Sequence, residues 1–258
     1  MAPLFTTELT MGVLALLFTT GLAAGFVDSI AGGGGLISLP ILLSIGLPPQ
    51  LALGTNKLQG TCGALSSVIN YTRKGVVNPK KCATGIAFTF MGAALGAISI
   101  QYIRAGFIRP LIPVMLLAVF IYTLCSPDLG RDSRAPRMKS LPFYALFGTA
   151  LGFYDGFFGP GTGSFWTGAL LAFLGMEMTT AAGHTRVMNF TSNIVALALF
   201  ALGGNVLYSA GLTMAAGQII GARVGSGLAI KRGAGFIRPL FLVVVFATIL
   251  RLIYVNYF

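Results

Sequence analysis

Charge is scarce in this chain. Of 258 residues, 17 are Lys or Arg, six are Asp or Glu and one is His, and 9% of the chain is charged. Soluble domains carry roughly 25% charged residues. A chain that is 55% hydrophobic, with a mean hydropathy of +0.86, has too little polar surface to cover itself in water. An ordinary water-soluble domain is excluded. Cysteine is nearly absent as well. Cys62, Cys82 and Cys125 are too few and too scattered for a metal cluster or a disulfide framework. No Lys or Arg precedes Lys57, so the first apolar run lacks the basic leader of a cleavable signal and is expected to stay in the mature protein.

What the chain does have is apolar length. Runs near 20 residues, the span of a membrane-crossing helix, fall at 9–27, 51–71, 82–103 and 107–125, then at 141–158, 179–202, 211–230 and 236–256. Two shorter runs, 36–47 and 163–175, have the length of half-helices or re-entrant segments. The expected fold is all-α, a polytopic membrane protein with 1–125 and 141–258 as membrane units and 126–140 as a linker. The net charge of +11 could suggest a nucleic-acid partner, but its distribution argues otherwise. The cations cluster in short loops, with Arg73, Lys74, Lys80 and Lys81 in one and Arg131, Arg134, Arg137 and Lys139 in another. That is the positive-inside pattern, which makes both loops cytoplasmic. The expected location is the cell membrane, the inner membrane if the source is bacterial.

The two units repeat each other. AGFIRPL occurs at 105–111 and again at 234–240, a displacement of 129 residues, and at that displacement ALGTNK (52–57) maps onto AAGHTR (181–186). At 127, GFVDSIAGGGG (25–35) maps onto GFYDGFFGPGT (152–162). Loop 72–81 is basic where its counterpart 203–210 has no cation, and the junction 104–109 carries Arg104 and Arg109 where its counterpart 231–238 carries Lys231, Arg232 and Arg238. A basic side that swaps between halves is what inverted repeats require, so inversion is expected; parallel repeats are the alternative. Gly21/Gly25, Gly92/Gly96 and Gly221/Gly225 read as small-xxx-small packing pairs. Arg109–Pro110 and Arg238–Pro239 read as helix starts with interfacial anchors. Glu177 reads as a solvated loop residue.

Chemistry is expected at the glycine breaks. The run Asp28 to Gly35 ends one apolar segment and opens another, and four successive glycines, each worth about 1 kcal/mol against a helix relative to Ala, cannot continue it. Within a bilayer such backbone is tolerated only inside protein or beside a cavity. The helix that restarts there would aim its positive end at the break, so Gly33, Gly34, Gly35 and the matching Gly161 are candidate anion-binding positions. Close packing or a plain turn is the structural alternative. Asp28 and Asp155 stand at equivalent places before the breaks, either capping loose amides or carrying protons, as an intramembrane carboxylate can. Lys57 and Arg186 are the matched cations, expected to contact a ligand, to snorkel, or to pair with Asp28 and Asp155. Around them Asn56 and Gln59 in the first half, and Asn189 and Asn193 on one helical face with Arg186, complete a polar set; interhelical hydrogen bonding is their structural alternative. His184, the single histidine, is a candidate proton relay or a structural residue.

GFVDSIAGGGGLISLP, followed by LALGTNKLQ and echoed by GFYDGFFGPGTG and GHTRVMN, resembles the sulfite exporter TauE/SafE family over essentially the whole chain. The resemblance implies an anion transporter that exports sulfite or an organosulfonate such as sulfoacetate. By that likeness Asp28, Asn56, Lys57, Gln59, Asp155, Arg186 and Asn189 would surround the substrate. The expectation is therefore a secondary transporter of a small sulfur-containing anion, with protons as possible coupling ions, lipid as its surroundings and no cofactor. No Gly-x-x-x-x-Gly-Lys-Ser/Thr occurs, so ATP-driven transport would need a separate ATPase. A passive anion channel is the alternative within transport. An intramembrane enzyme is disfavoured: Asp28 sits in Gly-Phe-Val-Asp rather than Gly-x-Gly-Asp, and no Gly-x-Ser-Gly motif occurs.

Overall fold

The computed structural model describes residues 10–103, 106 and 135–232. The predicted segments 107–125 and 236–256, the Arg109–Pro110 and Arg238–Pro239 helix starts and most of the 126–140 linker lie outside them. Everything described is helix, turn or irregular chain. In the first half these are α1 (Met11–Ala31), α2 (Gly34–Ser44), α3 (Pro49–Arg73), a 3-10 turn (Pro79–Cys82) and α4 (Ala83–Tyr102). The second half opens with α5 (Ser140–Phe143), which passes through a π-helical stretch (Tyr144–Gly148) into α6 (Thr149–Phe157). It continues as α7 (Thr162–Leu174), α8 (Met178–Leu202) and α9 (Tyr208–Arg232).

Local chemistry sets the ends. Thr10 caps α1 by accepting the Val13 amide, and Pro49 opens α3 where its missing N–H costs nothing. Glu177 departs from the expected solvated loop residue: it caps α8, taking the Thr179 and Thr180 amides at 3.0 and 3.2 Å. Partial burial pushes its carboxyl up, but these bonds and those from the two threonine hydroxyls outweigh it and hold the group below the ordinary glutamate value.

The short runs 36–47 and 163–175 form α2 and α7, each folded back as the second arm of a hairpin. At the centre α3 and α8 run antiparallel, with Gly54 against Asn205, Gly60 against Asn193 and Tyr71 against Gly183. α9 lies parallel to α3, pairing Leu58 with Gly211, Gly63 with Gln218 and Asn70 with Ser226. The hairpins cross over. α1 packs on α9 backbone to backbone, with Gly21 and Gly25 against Met214 and Gln218 and Gly221 against Leu22. α6 packs on α4 in the same way, with Gly92 and Gly96 against Thr149 and Phe153. Each hairpin thus rests on a helix of the other half. These contacts leave no room for a methyl group. We expect Gly221→Ala to destabilise the protein by about 1–3 kcal/mol through overpacking. Gly227→Ala, whose added carbon meets only Asn70 at ordinary distance, should gain up to about 1 kcal/mol of helix propensity. Melting temperatures of the purified variants in one detergent check the pair.

The surface is inverted relative to a soluble protein. Phe90, Leu95, Leu212, Ile220 and Val224 are exposed, whereas Lys57, Gln59, Asp155, Arg186 and Gln218 are each 2% exposed or less. Three described helical stretches, Met11–Ile30, Pro79–Tyr102 and Met178–Leu202, are long and apolar enough to cross a membrane. The chain is a polytopic all-α membrane protein. Trp166, expected to face lipid or fill a gap, fills one: it is fully buried beside Phe143 and Tyr144.

Candidate functional site

The two glycine breaks touch. Gly32 lies against Gly163, and Gly35 against Pro160. Gly32 has a φ of 80° and Gly159 a φ of 103°, left-handed backbone that lets each chain reverse beside its aspartate. A side chain at either would also strike a cation: Arg186 stands over Gly32 and Lys57 over Gly159.

The cations reach across the halves. Lys57 Nζ pairs with Asp155 Oδ1 at 2.7 Å and also donates to the Asp155 carbonyl. Arg186 Nη1 pairs with Asp28 Oδ2 at 3.1 Å and also donates to the Asp28 carbonyl. Each cation therefore holds both the side chain and the backbone of the aspartate in the opposite half. Side-chain exposure is 1% and 3% for the first pair and 0% and 16% for the second. Of the readings open for these cations, pairing is the one the geometry displays. The aspartates are not equivalent in their remaining bonds. Asp28 accepts the Gly34 amide at 3.2 Å, capping α2 as the structural reading expected. Asp155 instead accepts from the Ser192 hydroxyl, and the second break is braced by Tyr154, whose hydroxyl donates to the Pro160 carbonyl at 2.8 Å.

A cavity of about 30 Å³ lies between the breaks, enough for about two water molecules. Nine of the sequence candidates line it: Asp28, Gly35, Asn56, Lys57, Gln59, Asp155, Gly161, Asn189 and Asn193. Gly33 and Gly34 are not among its lining residues: Gly33 is the N-cap of α2 and Gly34 its first residue. Arg186 borders it, with its guanidinium over Gly32 and Gly163. His184 is not brought to it; Nδ1 lies 2.9 Å from the Thr180 carbonyl in the first turns of α8. Sequence reasoning missed Gln218, a lining residue whose only signal was one amide in a glycine- and alanine-rich run. It also missed Ser38, which joins Asn56 and Gln59 in a buried hydrogen-bonded triad.

The site is rich in idle polar atoms, donors and acceptors alike. Arg186 Nε and Nη2, Asn189 Oδ1, Gln59 Oε1 and Gln218 Oε1 are buried without a hydrogen-bond partner among the described residues. Unused buried polar atoms cost about 1–3 kcal/mol each, and Gln59, Asn189 and Gln218 all line the cavity. No group of three or more His, Cys, Asp or Glu that could hold a metal occurs among the described residues.

Residues 17–252 match the family described as sulfite exporter TauE/SafE. A probable membrane transporter protein of Haemophilus influenzae is 43% identical over 247 residues, covering 96% of this chain and 97% of the relative. The probable membrane transporter protein YfcA of Escherichia coli K12 is 43% identical over 232 residues, 90% of this chain and 86% of its own. A sulfite exporter TauE/SafE family protein of Arabidopsis thaliana is 31% identical over a shorter stretch of 100 residues, 38% of this chain and 23% of its own. Together with the apolar exterior and the buried crossed pairs, these likenesses show that the chain belongs to the TauE/SafE family of multi-pass membrane transporters.

Proposed function

We propose that this transporter exports a small sulfur-containing oxyanion, sulfite or an organosulfonate such as sulfoacetate, by alternating access, and that protons move with it. The observation that carries the reading is the pair of crossed ion pairs. Two cations and two carboxylates leave the cluster neutral, and each carboxylate already sits where an oxyanion would dock. The substrate and the carboxylates compete for Lys57 and Arg186. Protonation of Asp28 or Asp155 releases its cation to the substrate, so a proton and an anion occupy the site together. The idle Arg186 nitrogens and the α2 and α7 N-termini supply further donors. A cavity of about 30 Å³ is too small for an ion of four or more heavy atoms, so the released carboxylates must withdraw to make room. His184 is a weaker candidate in this scheme, being apart from the cavity.

We read the halves as inverted repeats that rock about the α3–α8 crossing, with 126–140 as a cytoplasmic linker. The antiparallel course of α3 and α8 and the exchange of hairpins support this reading. The test is flux in proteoliposomes challenged with sulfite, sulfoacetate, thiosulfate, sulfate and chloride, with and without a pH gradient. Saturable flux of a sulfur oxyanion, with counterflow and gradient stimulation, is expected. Non-saturating flux without counterflow would make the protein a channel. Silence to every sulfur anion from folded protein would remove the substrate class.

A further inference from the structure

We infer that the substrate passes between the cavity and the basic end of the molecule along one seam, where α3 meets α9, and that the equivalent seam between α8 and α4 is not a matching route. The inference rests on the transporter reading but not on which anion is carried.

The seam begins at the cavity wall, where Gln218 lies over Gly63. It continues past Ser67 to Asn70, whose Nδ2 donates to Ser226 Oγ at 2.7 Å. All of these side chains are buried. Because α3 and α9 run parallel, the seam ends where Arg73 and Lys74 meet the level of Lys231 and Arg232. From Gly60 to Arg73 is about 20 Å at the rise of an α-helix. Along that length neither helix carries a carboxylate, so nothing on them repels an anion.

Polar side chains can line a helix contact for packing alone, but two atoms here have nothing to pack for. Ser67 Oγ and Gln218 Oε1 are fully buried and without a partner among the described residues. Water can donate to either oxygen, and the Ser67 hydroxyl can donate to a passing oxyanion. The closure is also of the removable kind. α1 meets α9 through backbone, but α3 is held off α9 at Gly63 by the Gln218 side chain, which can swing about its own torsions.

The other seam lacks these features. At the displacement of 129 residues, Ser67 becomes Ala196, Asn70 becomes Leu199, Ser226 becomes Ala97 and Gln218 becomes Thr89, whose hydroxyl is already bonded to Met188. Gly63 becomes Ser192, whose hydroxyl is committed to Asp155. The architecture repeats while the chemistry of the contact does not, so the two sides of the cavity open differently.

The test is thiol accessibility in a background with Cys62, Cys82 and Cys125 replaced by Ala, comparing Ser67→Cys with the matched Ala196→Cys. Membrane vesicles of known sidedness are treated with the anionic, membrane-impermeant reagent methanethiosulfonate ethylsulfonate. We expect Ser67→Cys to be modified at least tenfold faster than Ala196→Cys, and only from the Arg73 side. Equal or slower modification in monodisperse, folded protein would overturn the inference, as would modification from the opposite side. If Ser67→Cys does not fold, Ser226→Cys against Ala97→Cys makes the same comparison with the same two outcomes. Labelling needs no substrate. A wrong anion would leave this result standing, and a wrong seam would leave the flux measurements standing.

Discussion

Lys57→Ala is expected to lower stability by about 3–5 kcal/mol and to abolish transport. Its partner Asp155 is 2% exposed, and truncating the lysine strands a carboxylate away from water with only the Ser192 hydroxyl to share its charge. An ion pair is often no more stabilising than an apolar pair of similar volume, but half of one is costly. The double variant Lys57→Met with Asp155→Asn should therefore recover most of the melting temperature while remaining inactive. That split between stability and flux is the informative result. If the double variant transported normally, the pair would be scaffolding and the anion would bind elsewhere. If Lys57→Ala melted like the parent, the pair would be broken in the working protein.

Asp28→Asn and Asp155→Asn test the coupling, and here the expected effect is on accumulation rather than on stability. If each aspartate delivers one proton with the anion, a gradient of one pH unit multiplies the accumulation ratio about tenfold per coupled proton, since a factor of ten corresponds to about 1.4 kcal/mol. Either single variant should lose about one such factor in vesicles with the membrane potential clamped at zero. The combined variant should still exchange labelled for unlabelled anion but ignore the pH gradient. Asp28→Asn keeps an oxygen for the Gly34 amide, so the α2 cap survives the change. Gradient-driven accumulation undiminished in the combined variant would show that the protons, if any, travel by another group.

Much of the fold was legible because a membrane imposes few solutions. Apolar length gave the helices, and a run such as SIAGGGG, which cannot remain helical in lipid, gave the hairpin between α1 and α2. The glycine pairs named the packing faces, though not their partners. What stayed hidden was long-range. Lys57 and Asp155 are 98 residues apart, and Arg186 and Asp28 are 158 apart. Repetition put one cation and one aspartate in each half, but it does not say whether they meet within a half or across it. Gln218 was missed because a single amide in a span reads as packing until its neighbours are known. His184 lies inside the matched block AAGHTR, two residues before Arg186, and only the structure shows that its ring nitrogen meets the Thr180 carbonyl.

The crossing of the ion pairs has a consequence for ancestry. In each half the cation and the aspartate are both present, yet neither is the other's mate. A chain of half this length would bury a positive and a negative group with no way to neutralise them internally. Only a second copy lying head to tail could complete the set. On the inverted-repeat reading proposed above, such a forerunner would have been an obligate dimer whose subunits entered the membrane in opposite senses. Fusing the two into one chain would have fixed that opposition for good and freed each copy to change its lining separately, which is the kind of divergence seen where Ser67 faces one side and Ala196 the other.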